Sequence, residues 1–294
     1  MDERELQAAV AWSSLPFLGD RSFQALVDHA REARRSLAEL WEAPPEDLRA
    51  FVPLHQKAAA ALAEDAPGRW RQAEEEAATI RSRGADLLLS LDPDFPEALA
   101  RTARRWPMLF AYGALALLEE PRVAIVNSRS PSHAALAATD ALADALARRD
   151  VVLVTSTNRE AYKAAAVAAK RHAGPAVMVL DRGIAEAFPA GLEREPVAAA
   201  RVWDESFDPE LQLLLSPFGW REHWNPRSGR KRDALIFDLA EVVVAMDIRP
   251  GGIMERECRA VIRNGRKLIP VVQASQPEAA RRVWDEIEIP SHHW

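Results

Sequence analysis

The chain has 294 residues, of which 48% are hydrophobic and 28% charged, so it is not disordered and can fold as one large or two modest domains. Its formal net charge of −6 argues against a nucleic-acid coat protein, although a local basic patch can still bind phosphates. The one cysteine, Cys258, excludes an internal disulfide and a cysteine-based zinc site. A charged N-terminus and the lack of an apolar run of about 18 residues predict a cytoplasmic protein with no membrane partner.

The first part of the chain has the apolar spacing of helices, with a period of about 3.6 residues. Prolines interrupt this pattern at Pro16, Pro44 and Pro67, and a helix does not continue through proline. The sequence therefore predicts several short helices that form an all-helical domain over residues 1–83.

One stretch of this domain, Leu15-Pro16-Phe17-Leu18-Gly19, resembles the turn of a helix-hairpin-helix motif. Such a turn offers backbone N–H groups to a phosphate. A plain helical turn with a glycine explains the same residues, and the sequence leaves both interpretations open. The domain is predicted to be of the SAM or helix-hairpin-helix type.

After residue 83, short apolar runs alternate with helical segments. The runs cover residues 86–90, 108–112, 122–126, 151–154, 176–180, 241–246 and 267–272. Continuous apolar strands that alternate with helices are typical of a parallel sheet covered on both faces. The sequence predicts a doubly wound, Rossmann-like α/β domain over residues 84–274, followed by a C-terminal helix and tail over residues 275–294.

In such sheets, ligands bind beyond the carboxyl ends of the strands, so the loops there are the candidate sites. The loop after the run 122–126 places five polar residues before a helix: Asn127, Ser128, Arg129, Ser130 and Ser132. Hydroxyl groups, backbone N–H groups and an arginine suit a phosphate. Helix capping explains one serine but not the whole group, so we predict phosphate binding. No G-x-G-x-x-G or Walker motif is present, which argues against a dinucleotide or P-loop site.

Three further segments carry candidate ligand-binding residues. Arg159 and Lys163 follow the run 151–154 and either extend the anion pocket or form a solvated surface. Paired glycines, Gly251 and Gly252, follow the run 241–246 and either admit a ligand close to the backbone or form a tight turn.

The third of these segments is basic and aromatic. Its residues are Trp220, Arg221, His223, Trp224, Arg227, Arg230, Lys231 and Arg232, in a stretch that contains Pro226 and Gly229. Cations mixed with aromatic rings are typical of a surface that stacks bases and pairs with phosphates of single-stranded nucleic acid. A solvated charge run is the alternative, although large aromatic residues are normally buried.

Taken in order, these residues resemble the DprA (Smf) family from about Leu6 to Val272. The matching motifs are Asp94-Phe95-Pro96 with Leu99, Pro107 with Leu109-Phe110 and Gly113, Val123-Ala124-Ile125-Val126-Asn127-Ser128-Arg129 with Ser132, and Asn225-Pro226 with Arg232-Asp233-Ala234-Leu235-Ile236 and Leu239. The sequence departs from the family pattern at several positions: Asn127 replaces a glycine, Thr155–Tyr162 lacks two glycines and an aspartate, and Ala166 and Ala234 replace a histidine and an arginine.

The resemblance implies single-stranded DNA binding, homodimerisation, and loading of a RecA-type recombinase in natural transformation. One alternative is a LOG-like sensor of a small nucleotide. Another is a LOG-like phosphoribohydrolase, but Pro250-Gly251-Gly252 is followed here by a glutamate out of register, so we expect no catalytic residues. The seven histidines show no metal-ligand spacing, and we expect neither a metal nor another cofactor.

Overall fold

The computed structural model describes residues 1–100, 102–157, 159–189, 192 and 207–271. The predicted C-terminal helix and tail, residues 275–294, lie outside the described residues. The chain divides into two compact units. Among the described residues, unit one comprises 1–112, 182–189 and 216–224, and unit two comprises 113–181, 192, 207–215 and 225–271.

Unit one contains the helices that the sequence predicts over residues 1–83, together with two strands that the sequence assigned to the parallel sheet and that pair antiparallel instead. Its helices are α1 (Glu3–Ser14), α2 (Asp20–Ala33), α3 (Leu37–Trp41), α4 (Pro45–Leu48), α5 (Gln56–Ser82), α6 (Glu97–Ala100) and α9 (Ile184–Ala187). The antiparallel strands β1 (Asp86–Leu89) and β2 (Met108–Gly113) follow the first five helices, and β2 ends at the boundary of the unit. Trp12, Leu26 and Leu40 are fully buried in its helical core.

Side-chain caps set several helix boundaries in unit one. Asp2 accepts a hydrogen bond from the Glu5 N–H at 2.8 Å, and Ser36 forms a capping box with Glu39 at the start of α3. Near Pro67, α5 has a kink at Asp65, whose carboxylate accepts the Gly68 N–H at 3.0 Å. The predicted break therefore occurs within one continuous segment, because the carboxylate caps the second half of the helix.

Unit two contains a parallel sheet. Its strands are β3 (Arg122–Asn127), β4 (Val152–Thr155), β5 (Ala176–Val179), β6 (Gln212–Ser216), β7 (Val242–Met246) and β8 (Lys267–Val271). Their spatial order is β6-β5-β4-β3-β7-β8, and the described pairings are parallel. The helices are α7 (His133–Ala147), α8 (Glu160–Arg171), α10 (Ser228–Leu239) and α11 (Ile253–Arg263).

This strand order confirms the predicted doubly wound, Rossmann-like fold. From β3 the chain builds outward through β4, β5 and β6, then returns to place β7 on the other side of β3. The order therefore reverses between β3 and β7, which is where such sheets bind ligands. β6 is not predicted from the sequence, because its leucine run lacks the β-branched residues that favour strands.

The core explains why the strand sequences are continuously apolar. Every residue of β3, β4, β5 and β7 is buried. Val123, Leu153 and Val244 pack in one cluster with Leu146 of α7 and Ala165 of α8. Within the described ranges, no helix has both the length and the apolar composition needed to cross a bilayer.

Candidate functional site

A cleft of about 180 Å³ lies at the carboxyl ends of the strands of unit two. The residues that line it are Ser128, Arg129, Arg159, Arg249, Gly252, Ile253 and Met254, and we name it the arginine cleft. Three loops contribute, those that follow β3, β4 and β7. The cleft therefore lies at the switch in strand order, and three guanidinium groups line it.

Arg129 is the exposed arginine of the loop after β3. Among the described residues, no hydrogen bond or ion pair engages its side chain. Ser128 is nearly buried, and its hydroxyl accepts the Arg249 N–H at 2.8 Å. The structure thus brings Ser128 and Arg129 of the predicted loop together in one cleft, where Arg129 is available to a ligand.

Arg249 is a site residue that the sequence analysis missed. Its backbone N–H is held by Ser128, and its Nη2 donates to the Ser130 carbonyl at 2.7 Å. These two bonds tie the loop after β7 to the loop after β3. The partners of Arg249 are neutral, so its positive charge is not compensated by them. Its position three residues after Met246, the end of β7, was the available signal.

The amino terminus of α11 forms one wall of the cleft through Gly252, Ile253 and Met254. Gly252 is the N-cap of this helix, and no side chain caps its first N–H groups. Gly251 has a φ of 76°, in the left-handed region that favours glycine. Gly251 thus serves the tight turn, and Gly252 lines the cleft as an N-cap that has no side chain to cap the helix.

Arg159 enters the cleft from a buried ionic network. Its Nη2 donates to Asp233 Oδ2 at 2.7 Å, while Arg232 and the Tyr162 hydroxyl both contact Asp233 Oδ1, at 2.8 Å and 3.2 Å. Asp233 is 2% exposed, so it holds two guanidinium groups out of water. Burial lowers the pKa of Arg159, but Asp233 outweighs this effect and the net pKa is raised. Burial, and next the charge of Asp233, raise the pKa of Tyr162 well above its ordinary value.

Two buried polar side chains next in sequence to the loops of the cleft have no hydrogen-bond partner among the residues that the structure describes. Asn127, the last residue of β3, is 1% exposed, and neither atom of its amide is bonded. The Ser156 hydroxyl, one residue beyond β4, is also buried and unbonded. Buried polar atoms normally have partners, so these positions suit a bound water or a ligand atom.

The start of α7 differs from the phosphate site that the sequence predicts. The Ser132 hydroxyl caps the helix by accepting the Ala135 N–H at 3.2 Å, and the Ser132 N–H donates to Asp247 Oδ2 at 2.9 Å. A carboxylate therefore already lies where an oxyanion was expected. The Ser130 carbonyl accepts a bond from Arg249, and Ser130 is not among the described residues that line the cleft. The uncapped helix end at the cleft belongs to α11.

Replacing Ser132 with alanine separates capping from ligand binding. We expect the Ser132→Ala variant to lose about 1 kcal/mol of unfolding free energy, because the helix loses its N-cap. The affinity of the arginine cleft for an anionic ligand should stay within about twofold of wild type, because Ser132 is not among the described residues that line the cleft. Urea denaturation and a binding titration measure the two quantities. A variant of unchanged stability with lost affinity would contradict the capping role.

The remaining basic residues of unit two lie outside the cleft. Lys163 pairs with Glu160 at 3.3 Å on α8 and is not among the described residues that line the cleft, which favours the solvated surface over the pocket. Arg227, the N-cap of α10, and Arg230 are exposed. Lys231 is partly buried in the first turn of this helix. Arg232 is 3% exposed, and its guanidinium forms an ion pair with Asp233. The prediction that it lies on a binding surface is therefore wrong.

The aromatic residues predicted beside this segment belong to unit one. Trp220 is 1% exposed and packs against Phe110 at 5.7 Å between ring centroids, so it is a core residue. Arg221 pairs with Glu76 at 3.2 Å. Trp224 is 49% exposed and remains accessible. His223 is also exposed and lies 2.9 Å from Glu186, so two of the three predicted aromatic residues, His223 and Trp224, remain at the surface.

Comparison with known proteins identifies the family of the chain. The sequence model of the DNA recombination-mediator protein A family matches residues 86–271, well over half of the chain. The chain belongs to this family. The match confirms the resemblance to DprA that the motifs indicated. No curated protein matches the chain significantly.

Two solved structures of DprA proteins have the same fold. The protein from Streptococcus pneumoniae superposes with a TM-score of 0.68 at 18% identity, over 97% of this chain and 93% of its own. The protein from Helicobacter pylori, described in terms of its single-stranded DNA binding mode, gives 0.54 at 16% identity, over 69% of this chain and 97% of its own. Identities this low support the shared fold only.

Within the DprA family pattern, the structure places Ser128 and Arg129 in the cleft and Asp233 beneath it. The loop that lacks the two family glycines contributes Arg159 to the cleft. Tyr162, at the position of the family aspartate, is fully buried and contacts Asp233 at 3.2 Å. Within the described part of the chain, no three His, Cys, Asp or Glu side chains are grouped as metal ligands.

Proposed function

We propose that this chain binds single-stranded DNA through the arginine cleft, as a diverged DprA protein. The observation that carries the proposal is the convergence of Arg129, Arg159 and Arg249 at the switch in strand order. Arginine side chains donate paired hydrogen bonds to phosphate oxygens. Among the described residues that line the cleft, none is acidic, so an anion meets no repelling side chain there.

A second basic feature supports the proposal. The first turn of α10 contains no acidic residue, and Arg227 and Arg230 lie exposed at its start. Cations at a helix amino terminus are unfavourable unless an anion accompanies them, because the helix dipole is positive there. Arg159 and Asp233 link this helix to the cleft through a 2.7 Å bond. A single DNA strand that leaves the cleft can therefore continue along the start of α10.

Family membership and the described DNA-binding mode of the H. pylori protein support the choice of ligand. We include in the proposal a homodimer, a RecA-type recombinase partner and a role in natural transformation. Light scattering measures the first, and co-sedimentation of a RecA-type protein with single strands, with and without this chain, measures the second. A monomer with no effect on recombinase loading would remove both while leaving DNA binding intact.

The direct test of DNA binding is a filter-binding titration with a single-stranded oligonucleotide at two salt concentrations. We expect Arg129→Gln to weaken binding about tenfold, since one charge-assisted contact to phosphate is lost. The slope of log affinity against log salt should fall by about one unit. Arg148→Gln is the matched control, because Arg148 is exposed at the other end of α7 and makes the same change of charge.

Other outcomes would replace this proposal. Equal losses in the two variants would show that only net charge matters. A rise in melting temperature with mononucleotides and none with oligonucleotides would favour the nucleotide-sensor alternative. For the hydrolase alternative, Glu255 is the nearest acid to the paired glycines, but its carboxylate binds Arg259 and the Gly251 N–H. The Arg259 bond, followed by the Gly251 bond, lowers the pKa of Glu255, which is unsuited to a general acid.

A further inference from the structure

We infer that the arginine cleft prefers a terminal phosphate monoester of a single strand to an internal phosphodiester. This inference rests on the proposed DNA binding and names the part of the strand that enters the cleft. It follows from the charge of the cleft, from the number of its donors and from its size.

The charge of the cleft exceeds that of a diester. Arg159 and Arg232 face Asp233, and Arg232 also lies 3.6 Å from Asp181, so this buried group is close to neutral. Arg129 has no acidic partner among the described residues. Arg249 donates to a neutral carbonyl, so two positive charges are left uncompensated at the cleft. A phosphate monoester carries a charge between about −1.5 and −2 at neutral pH, whereas a diester carries one negative charge.

Two acidic groups lie close to the cleft in sequence, but neither is among the described residues that line it. Asp247 accepts the neutral Ser132 N–H at the start of α7 and keeps its charge there. Glu255 accepts the Gly251 N–H at 2.6 Å, and its charge is balanced by Arg259 at 2.7 Å. The two uncompensated guanidinium groups are therefore those of the residues that line the cleft.

The donors also outnumber the free oxygens of a diester. Arg129 and Arg249 come from the two loops that flank the switch point, after β3 and β7. Arg159 comes from the loop after β4, and α11 presents uncapped backbone N–H groups. A monoester has three terminal oxygens to receive them, and an internal diester has two. Donors left without an acceptor inside a cleft lose hydrogen bonds to water, so the monoester is favoured.

The size and lining of the cleft suit a phosphate end rather than a whole nucleotide. Its volume is about 180 Å³, below the range of about 300–1,000 Å³ for pockets that enclose small molecules. The described residues that line it include no aromatic ring on which a base could stack. The terminal phosphate therefore enters the cleft, and the sugar and base stay outside.

The experiment compares four single strands of one sequence and length: one with a 5′-phosphate, one with a 3′-phosphate, one with hydroxyl groups at both ends, and one closed into a circle. Competition against a labelled strand gives the relative affinities for the full chain. We expect at least one phosphorylated strand to bind about tenfold more tightly than the hydroxyl-ended and circular strands, as for one additional charge-assisted contact. Arg249→Gln should reduce this ratio to less than about twofold, and Arg263→Gln, at the far end of α11, should leave it unchanged.

The outcomes separate this inference from the proposed function. Equal, salt-sensitive binding of all four strands overturns the inference and leaves DNA binding in place. Failure of every strand to bind overturns the proposed function. Inorganic phosphate and thymidine monophosphate are tested as competitors at the same concentration as the phosphorylated strand. If either competes as effectively as that strand, the cleft binds a free phosphate monoester, and the inference is also overturned.

Discussion

Asp233→Asn is expected to lower the free energy of unfolding by about 3–5 kcal/mol, because it removes one charge of a buried ionic network. Asp233 is 2% exposed and accepts bonds from Arg159, Arg232 and Tyr162. When the charge of Asp233 is removed, Arg232 is still buried, at 3% exposure. Its nearest remaining carboxylate is then Asp181 at 3.6 Å, which is beyond hydrogen-bond distance. Urea denaturation of the full chain measures the loss.

The control is Asp140→Asn, which makes the same chemical change on the exposed face of α7 and should stay within about 0.5 kcal/mol of wild type. Arg159→Met combined with Asp233→Asn should lose less than the sum of the single losses, because both remove one shared interaction. Losses in Asp233→Asn no larger than in the control would show that the network does not stabilise the fold.

The sheet could be predicted from sequence because its strands are buried on both faces. β3 and β7 are continuous runs of valine, isoleucine and alanine next to polar turns. β6 was missed because leucines occur equally in helices. The strand order also could not be predicted from the sequence, since local patterns do not specify which strands become neighbours.

The site could be predicted only in part, because a run of charges does not indicate which charges are buried. Arg129 was found from its position after β3, and it is exposed in the cleft. Arg232 has the same side chain but is buried, because Asp233 lies beside it and α10 turns it inward. Arg249 stands alone in its segment, and only the reversal of strand order brings it to Ser128.

The position of the uncapped helix shows the same limit. Both α7 and α11 begin at the carboxyl edge of the sheet, and the serines before α7 suggested an anion site there. Of those serines, Ser132 caps α7, and Asp247 accepts the Ser132 N–H, whereas Gly252 before α11 has no side chain to cap the first N–H groups of that helix. Residues that cap a helix well therefore occupy the backbone N–H groups that a ligand would bind, whereas glycine at the N-cap leaves those groups available to a ligand.

The double variant Arg129→Gln/Arg249→Gln is expected to weaken single-strand binding by about 100-fold, since each lost charge-assisted contact is worth about 1.5 kcal/mol or more. The salt slope should fall by about two units, one for each phosphate contact. Stability should change little through Arg129, which is exposed, and by about 1 kcal/mol through the bond from Arg249 to the Ser130 carbonyl.

The matched control for this double variant is Arg148→Gln/Arg263→Gln, which changes the net charge equally at the opposite ends of α7 and α11. Because diffuse attraction depends on total charge, both double variants lose that contribution alike, and their difference isolates the cleft. A 100-fold loss in the first and a loss below about threefold in the second would place the phosphate contacts at the switch in strand order. Similar losses in both would mean that the three guanidinium groups act only through the overall field, and the cleft would have no specific role in binding.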